Sequence, residues 1–164
     1  MLFMLIRHAI AEERGMKPDG LRALTEEGRQ KIEAAYPRLC DALKDYTVRL
    51  ISSPLVRAYQ TAEELEKHLD VKMELQDWVA IGDTRELYRA MAETKEDILI
   101  LVGHEPTFSD WCDLLGFPVG WMKKGSVAFF EIGEEVTFLD YLTVKDLTEK
   151  GEIPLLYALR QDSE

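Results

Sequence analysis

Continuous apolar runs alternate along this sequence with segments of helical periodicity. Residues 2–6 and Ile98–Val102 carry no polar side chain, and Val48–Ser52 is a third, shorter run with strand character. Strands covered on both faces have this composition, because each face of their sheet packs against helices. The alternation therefore predicts an α/β fold of three layers, in which helices flank a central, mostly parallel sheet.

Helix-like periodicity fills the gaps between these runs. Apolar residues recur every three or four positions over residues 32–43, 55–69 and 108–115, as on the buried face of a helix. Thr25 is a suitable N-cap for the first of these helices. Pro37 lies inside the same helix, which we expect to kink or break there.

The remaining predicted elements are shorter. A helix is expected over about Asp83–Thr94, and Val71–Leu75 is a weaker candidate for a strand. Val127–Ile132 and Val136–Leu142 flank Gly-Glu-Glu, which predicts a β-hairpin. Residues 143–164 carry no pattern from which an element can be assigned.

The composition limits the classes of partner and compartment. A chain of 164 residues without a linker is expected to form one domain over residues 1–164. Its 20 basic and 31 acidic residues give a net charge of −11, which argues against binding nucleic acid or anionic membranes. With no apolar stretch long enough to span a membrane, and Cys40 and Cys112 expected to be buried and reduced, a cytoplasmic location is expected.

Cationic and nucleophilic side chains follow the three predicted strands. Arg7 and His8 end the first strand. Ser53 follows the second, with Arg57 one helical turn later, and His104 follows the third. Ligands of open α/β sheets bind beyond the carboxyl ends of the strands, so we expect these side chains to meet.

These residue types together describe a phosphate pocket with a nucleophile. Arg57 lies in the first turn of its helix, where the helix dipole disfavours a cation unless a bound anion shares the site. Two guanidiniums can hold phosphoryl oxygens while one neutral imidazole attacks phosphorus and a second stabilises the developing charge. Arg7 and Arg57 should lower the pKa of the nucleophile. The Ser-Pro pair at 53–54 is also typical of a helix N-cap followed by proline.

In these places the sequence resembles the histidine phosphatase superfamily. Residues 5–9 are similar to its first-strand Arg-His-Gly motif, with Ala in the third place. Residues 52–62 are similar to its Ser-Pro, Arg-Ala and Gln-Thr signature, and residues 101–106 to the segment with its second catalytic histidine. The short chain and residues 22–28 resemble the small SixA-type branch of phosphohistidine phosphatases. The resemblance implies a phosphoglycerate mutase-like fold.

The resemblance also implies a role for each matching residue. His8 is expected to be the nucleophile that becomes phosphorylated. No metal or other cofactor is expected, because the side chains themselves supply the compensating charge. The residues expected around the phosphoryl group are Arg7, Arg57 and His104, with Arg22 and Ser53 as further substrate contacts.

Larger relatives carry an acid, after the second helix, that protonates the leaving group. Asp83 and Glu86 are the candidates here, but Asp-x-x-Glu is also a capping box, which we favour. A phosphorylated imidazole can leave as neutral imidazole, whose conjugate acid has a pKa of about 6.5. An alcohol leaving group, with a pKa near that of water at about 15.7, needs a proton donor far more. The missing acid therefore favours protein phosphohistidine or another phosphoramidate as substrate.

Two alternatives remain open, as does the choice of partner. One is a small-molecule phosphomonoesterase of the same superfamily that uses Glu86 or Asp83 as its acid, and the other is a non-catalytic phosphate-binding module. The expected partner is a phosphorylated protein or a small phosphorylated molecule. An acidic surface around a positive pocket can select a basic partner or repel polyanions, and the sequence does not decide between these.

Overall fold

The computed structural model describes residues 1–149 and Ile153. Six strands form one sheet: β1 (Leu2–Arg7), β2 (Val48–Ser52), β3 (Glu74–Leu75), β4 (Ile98–Gly103), β5 (Val127–Ile132) and β6 (Val136–Leu142). Their order across the sheet is β3-β2-β4-β1-β5-β6. Strands β1 to β4 are parallel, whereas β5 pairs antiparallel with β1 and with β6. The predicted mostly parallel sheet and the terminal hairpin are therefore confirmed.

Helices cover both faces of this sheet. They are α1 (Glu26–Leu43), α2 (Val56–Glu66), α3 (Asp77–Ile81), α4 (Thr84–Glu93), α5 (Thr107–Leu114) and α6 (Val144–Glu149), with a single 3-10 turn at Asp19–Leu21. Helices α1, α2 and α6 contribute to the core on one face, and α3, α4 and α5 to the core on the other. The three-layer architecture is thus confirmed. None of the helices described is long and apolar enough to cross a membrane.

Strand β1 shows why its sequence is apolar without interruption. Leu2, Met4 and Ile6 point into the core formed with α1 and α2, while Phe3 and Leu5 point into the opposite core. All five side chains are buried. Because successive residues of a strand face opposite sides, a strand between two helical layers needs an apolar residue at every position.

Helix α1 begins as predicted but continues where a break was expected. The Thr25 hydroxyl accepts a hydrogen bond from the Gly28 amide at 3.0 Å, which makes Thr25 the N-cap. We expected a kink or a break at Pro37, but the helix continues through it to Leu43, so the break is wrong. Buried residues from Ile32 to Leu43 pack on both sides of the proline, and this tertiary packing outweighs the loss of one backbone hydrogen bond.

The short elements explain the other differences from the sequence prediction. The weak strand expected at Val71–Leu75 is reduced to the two residues of β3. Helix α3, the 3-10 turn and α6 were not predicted, because three to six residues are too few to show a helical period. Cys40 and Cys112 are both buried. A single domain over residues 1–164 stays a prediction, since it includes residues outside those described.

Candidate active site

Five of the predicted site residues line one pocket at the carboxyl edge of the sheet. Its volume is about 270 Å³. Arg7 ends β1 and His8 follows it, while His104 follows β4. Because β1 and β4 are adjacent parallel strands, these distant parts of the sequence meet at one edge of the sheet. The predicted residues in the lining are Arg7, His8, Arg22, Arg57 and His104, and the lining also includes Ala11, Arg14, Glu105, Pro106, Trp121 and Lys124.

The His8 ring is held in one tautomer by the backbone. Its Nδ1 atom lies 2.7 Å from the carbonyl oxygen of Ala9. A carbonyl oxygen can only accept a hydrogen bond, so Nδ1 carries the proton and Nε2 carries the free lone pair. The next amide, that of Ala9, donates to the Thr61 hydroxyl at 3.0 Å, which ties this segment to α2. The ring nitrogen suited to nucleophilic attack is therefore Nε2.

His8 is neutral in the folded protein. Burial, together with the charges of His104, Arg57 and Arg7, lowers its pKa from 6.5 to about 3 against the opposing effect of the Ala9 carbonyl. The direction agrees with the sequence prediction, but burial, not the arginines, is the largest cause. An unprotonated imidazole is the form that can attack phosphorus.

His104 stands beside His8, with 5.3 Å between the ring centroids. Its Nε2 atom lies 2.7 Å from the Ser53 hydroxyl oxygen, which also accepts the Leu55 amide at 3.2 Å. A hydroxyl oxygen has two lone pairs, so this contact is compatible with donation from Ser53 to Nε2, which leaves the ring proton on Nδ1, and with donation from Nε2–H to Ser53. Nδ1 is buried and has no hydrogen-bond partner among the described residues. Burial and then Arg57 lower the pKa of His104 to about 4.

Ser53 has a different position from the one the sequence suggested. Helix α2 begins at Val56 with Leu55 as its N-cap, so the assignment of Ser53 as N-cap is wrong. The hydroxyl of Ser53 contacts His104 instead and is not part of the pocket lining. A hydrogen bond to a buried imidazole satisfies both groups, which explains the buried position of Ser53.

Arg7 and Arg57 line the pocket, and each has a guanidinium N–H group without a hydrogen-bond partner among the described residues. Arg7 donates from Nη1 to the Met122 carbonyl at 2.6 Å and lies over the Trp121 ring, 5.7 Å from its centroid. Arg57 donates from Nη1 to the Asp19 carbonyl at 2.8 Å. The Nε atoms of both are buried without a partner in the described part of the chain. Unpaired buried donors beside two positive charges suit an anionic ligand.

Asp19 is a neighbour of the site that sequence reasoning missed, since it contacts two of the arginines from outside the pocket lining. Its carboxylate lies 2.9 Å from Nη2 of Arg22 and 3.2 Å from Nη2 of Arg57. Burial acts to raise the pKa of Asp19, but the Arg22 hydrogen bond and the charge of Arg57 outweigh it, so the pKa is lowered. A protein carboxylate thus lies against two guanidiniums in the manner expected of a phosphoryl group. The sequence gives little indication of this role, because Asp19 lies in a three-residue 3-10 turn that has no periodic pattern.

Asp83 and Glu86, the two predicted candidates for an acid, are absent from the pocket lining. Asp83 caps α4, accepting the amides of Arg85 at 3.0 Å and Glu86 at 3.4 Å. The Glu86 carboxylate lies 3.1 Å from the Arg89 guanidinium. Asp83 is therefore an N-cap as expected, but the capping box is only half formed, because the Asp83 amide donates to the Trp78 carbonyl and not to Glu86.

Glu105 is the carboxylate that does line the pocket. One of its oxygens accepts the Ser109 amide at 3.0 Å, and the other accepts the Met122 amide at 3.3 Å. The Ser109 hydroxyl is a third partner. Sequence reasoning assigned no role to Glu105, which lies in the same short motif as His104. No group of three or more His, Cys, Asp or Glu side chains in residues 1–149 is arranged to hold a metal ion.

Comparison with known proteins agrees with this geometry. A family model described as the histidine phosphatase superfamily (branch 1) matches residues 3–100, which is more than half of the chain. The chain belongs to the histidine phosphatase superfamily. An uncharacterised protein of Picosynechococcus sp. is 31% identical over 123 residues, which cover 71% of this chain and 74% of that protein.

Solved structures show that the fold is shared with phosphatases of this superfamily. The protein histidine phosphatase SixA complexed with tungstate superposes with a TM-score of 0.73 at 20% identity, covering 90% of this chain and 99% of that one. A mycobacterial glucosyl-3-phosphoglycerate phosphatase superposes with a TM-score of 0.65 at 16% identity, covering 84% and 95%. The phosphoglycerate mutase-like fold is thus confirmed, and family and fold together support a phosphatase.

Proposed function

We propose that this protein is a phosphatase that works through a phosphohistidine intermediate on His8. The observation that carries the proposal is the tautomer of His8. Nδ1 is held by the Ala9 carbonyl at 2.7 Å, so Nε2 is the unprotonated nitrogen, in a pocket that also contains Arg7, Arg57 and His104. A neutral nucleophile beside fixed cations can approach a phosphoryl group without the repulsion between two anions.

The reaction has two steps that use the same groups. Nε2 of His8 attacks phosphorus, the bond from phosphorus to the leaving group breaks, and the electron pair departs with that group. Arg7 and Arg57 stabilise the negative charge on the phosphoryl oxygens, and Nδ1–H of His104 donates to one of them. Water then attacks phosphorus, its two protons remain with the phosphate product, and the electron pair of the broken P–N bond returns to Nε2 of His8.

The preferred substrate class is a phosphoramidate, with protein phosphohistidine foremost. When the second nitrogen of a phosphorylated imidazole carries a proton, the ring leaves as neutral imidazole, whose conjugate acid has a pKa of about 6.5. Such a leaving group needs no proton donor in the pocket. Asp83 and Glu86 are engaged at α4, and both oxygens of Glu105 accept backbone amides, which supports a site without a dedicated acid. The fold shared with SixA is consistent with this substrate class.

Trapping the intermediate tests the mechanism. The protein is mixed with phosphorus-labelled phosphoramidate and quenched in alkali, in which phosphohistidine survives. We expect label on His8, and we expect His8→Asn to lose at least about 10³-fold in turnover, as enzymes without their nucleophile do. His68→Asn, on an outward face of the chain after α2, is the matched control and should keep wild-type turnover. Unchanged turnover in His8→Asn would rule out the mechanism.

A phosphomonoesterase is the second candidate, favoured by one observation. Glu105 lies in the pocket lining, and a carboxylic acid there could protonate an alcohol leaving group. Rates on phosphoramidate and on an alkyl phosphate are compared for wild type and Glu105→Gln. We expect phosphoramidate to be the better substrate and Glu105→Gln to affect both rates alike. A preference for the alkyl ester that Glu105→Gln abolishes would make the phosphomonoesterase the better description.

A further inference from the structure

A second cavity of about 500 Å³ adjoins the catalytic pocket. The two cavities share Arg7, Trp121 and Lys124 in their linings. Beyond the shared residues the second cavity is lined by three more lysines, and we call it the lysine groove. Its four lysines are Lys31, Lys123, Lys124 and Lys145.

The lysine groove is a concentrated positive surface on an acidic protein. Four of the ten lysines of the chain meet there, although the net charge is −11. Lys31 lies 3.1 Å from Glu27. Lys123, Lys124 and Lys145 take part in no ion pair among the residues described. Lysines without an ion-pair partner attract an acidic partner to this face, and the excess of acidic residues elsewhere repels it from the other faces.

The groove differs in chemistry from the phosphate pocket beside it. Four of the five cationic residues that line the pocket are arginines, whose rigid fork fits one phosphoryl group, whereas four of the five that line the groove are lysines, flexible point charges that suit several carboxylates at varying positions. Ile10, Ile32 and Val144 contribute apolar surface to the groove, and the Trp121 side chain at its border is 63% exposed. A lining of apolar and cationic side chains fits a peptide segment better than a small polyanion, which offers nothing to the apolar surface.

We propose that the lysine groove binds an acidic segment of a phosphorylated protein substrate, adjacent to the phosphorylated side chain in the catalytic pocket. The proposal rests on the proposed function, and it names the partner by its charge. It also resolves what the net charge left open, because the surface next to the pocket is basic and therefore selects acidic, not basic, neighbours of the phosphorylated residue.

Binding of two labelled peptides tests the groove separately from catalysis. Each peptide carries a phosphonate analogue of phosphohistidine, flanked by Asp and Glu in one and by Lys in the other. The variant is Lys31→Glu/Lys145→Glu, and the matched control is Lys72→Glu/Lys95→Glu, which makes the same charge change at exposed lysines outside the groove. We expect the acidic peptide to bind at least about tenfold more tightly to wild type, equivalent to about 1.4 kcal/mol. The groove variant should lose this preference and the control should keep it.

The remaining measurements separate the outcomes. Hydrolysis of free phosphoramidate reports the proposed function alone, so its absence overturns that function while the peptide titrations still decide the groove. Equal affinity for the two peptides, or an equal loss in both double variants, overturns the groove. Displacement of the acidic peptide by a short single-stranded oligonucleotide of higher affinity would also overturn it, since the groove would then accept polyanions in general. The preference should weaken as salt rises above about 0.1 M, where the Debye length is about 10 Å.

Discussion

The hydroxyl oxygen of Ser53 lies 2.7 Å from Nε2 of His104, so the two side chains share one hydrogen bond. We expect the Ser53 hydroxyl to donate to Nε2, because that arrangement leaves an N–H donor for a phosphoryl oxygen at Nδ1, the buried atom that has no partner among the described residues. On this proposal Ser53 is a positioning residue that acts on the phosphoryl group through His104.

Replacing Ser53 by Ala should release this tautomer. We expect His104 to populate both tautomers and turnover of phosphoramidate to fall about five- to tenfold, as for the loss of one hydrogen bond worth about 1 kcal/mol. Nitrogen NMR of the imidazole reports the tautomer directly. Ser52→Ala is the matched control, because the Ser52 hydroxyl donates to the Ser53 carbonyl and not to the ring. A fixed Nδ1–H tautomer in Ser53→Ala would contradict the assignment.

Asp19 lies against two of the arginines that we propose bind the ligand. Its carboxylate lies within 3.2 Å of Arg57 and 2.9 Å of Arg22, so an incoming anion meets a negative charge already in place. We expect Asp19→Asn to bind tungstate about tenfold more tightly, a gain of about 1.4 kcal/mol. Calorimetry at low and moderate salt measures this, with Asp41→Asn on α1 as the control. Weaker binding would mean instead that Asp19 holds the guanidiniums in position.

The sequence predicted the residues of the site better than their contacts. Strand ends are visible in a sequence because a buried strand is apolar to its last residue, and this located Arg7, His8 and His104. The partner of His104 was invisible, because Ser53 has the same sequence context whether it caps a helix or faces an imidazole. Asp19 was missed for a related reason, since a single 3-10 turn leaves no period. Contacts made across the fold depend on packing that no local pattern records.

The structure also explains why residue 28 is a glycine, which the sequence motif alone did not. A Cβ atom at this position would lie 2.3 Å from the carbonyl oxygen of Ile10, which accepts the Thr25 amide at 2.9 Å. The first turn of α1 therefore packs directly on the backbone that follows His8. We expect Gly28→Ala to lower the free energy of unfolding by about 1–3 kcal/mol, as for other overpacked sites, and to reduce turnover by displacing this segment.

Urea unfolding and phosphoramidate turnover measure the two effects. Gly133→Ala is the control, because a Cβ there has no neighbour nearer than the Glu135 carbonyl at 4.0 Å. Wild-type stability of Gly28→Ala would show that the loop and the helix can separate without cost. In that case the close approach would not explain the glycine.

Stability should fall in mild acid because of the two buried histidines. In the unfolded chain an imidazole binds a proton below about pH 6.5, whereas in the folded protein the pKa is about 3 for His8 and about 4 for His104. Between these values the unfolded state binds more protons, so lowering the pH favours unfolding, by up to about 1.4 kcal/mol per pH unit for each histidine.

Urea unfolding from about pH 7.5 to about pH 5 measures how steeply the free energy of unfolding depends on pH. The double variant His8→Gln/His104→Gln removes both imidazoles. Its curve of stability against pH should run parallel to that of wild type above pH of about 7, and below pH of about 6.5 its stability should fall less steeply than that of wild type. Parallel curves over the whole range would show that folding leaves the pKa of both imidazoles unchanged, which would contradict their lowering by burial.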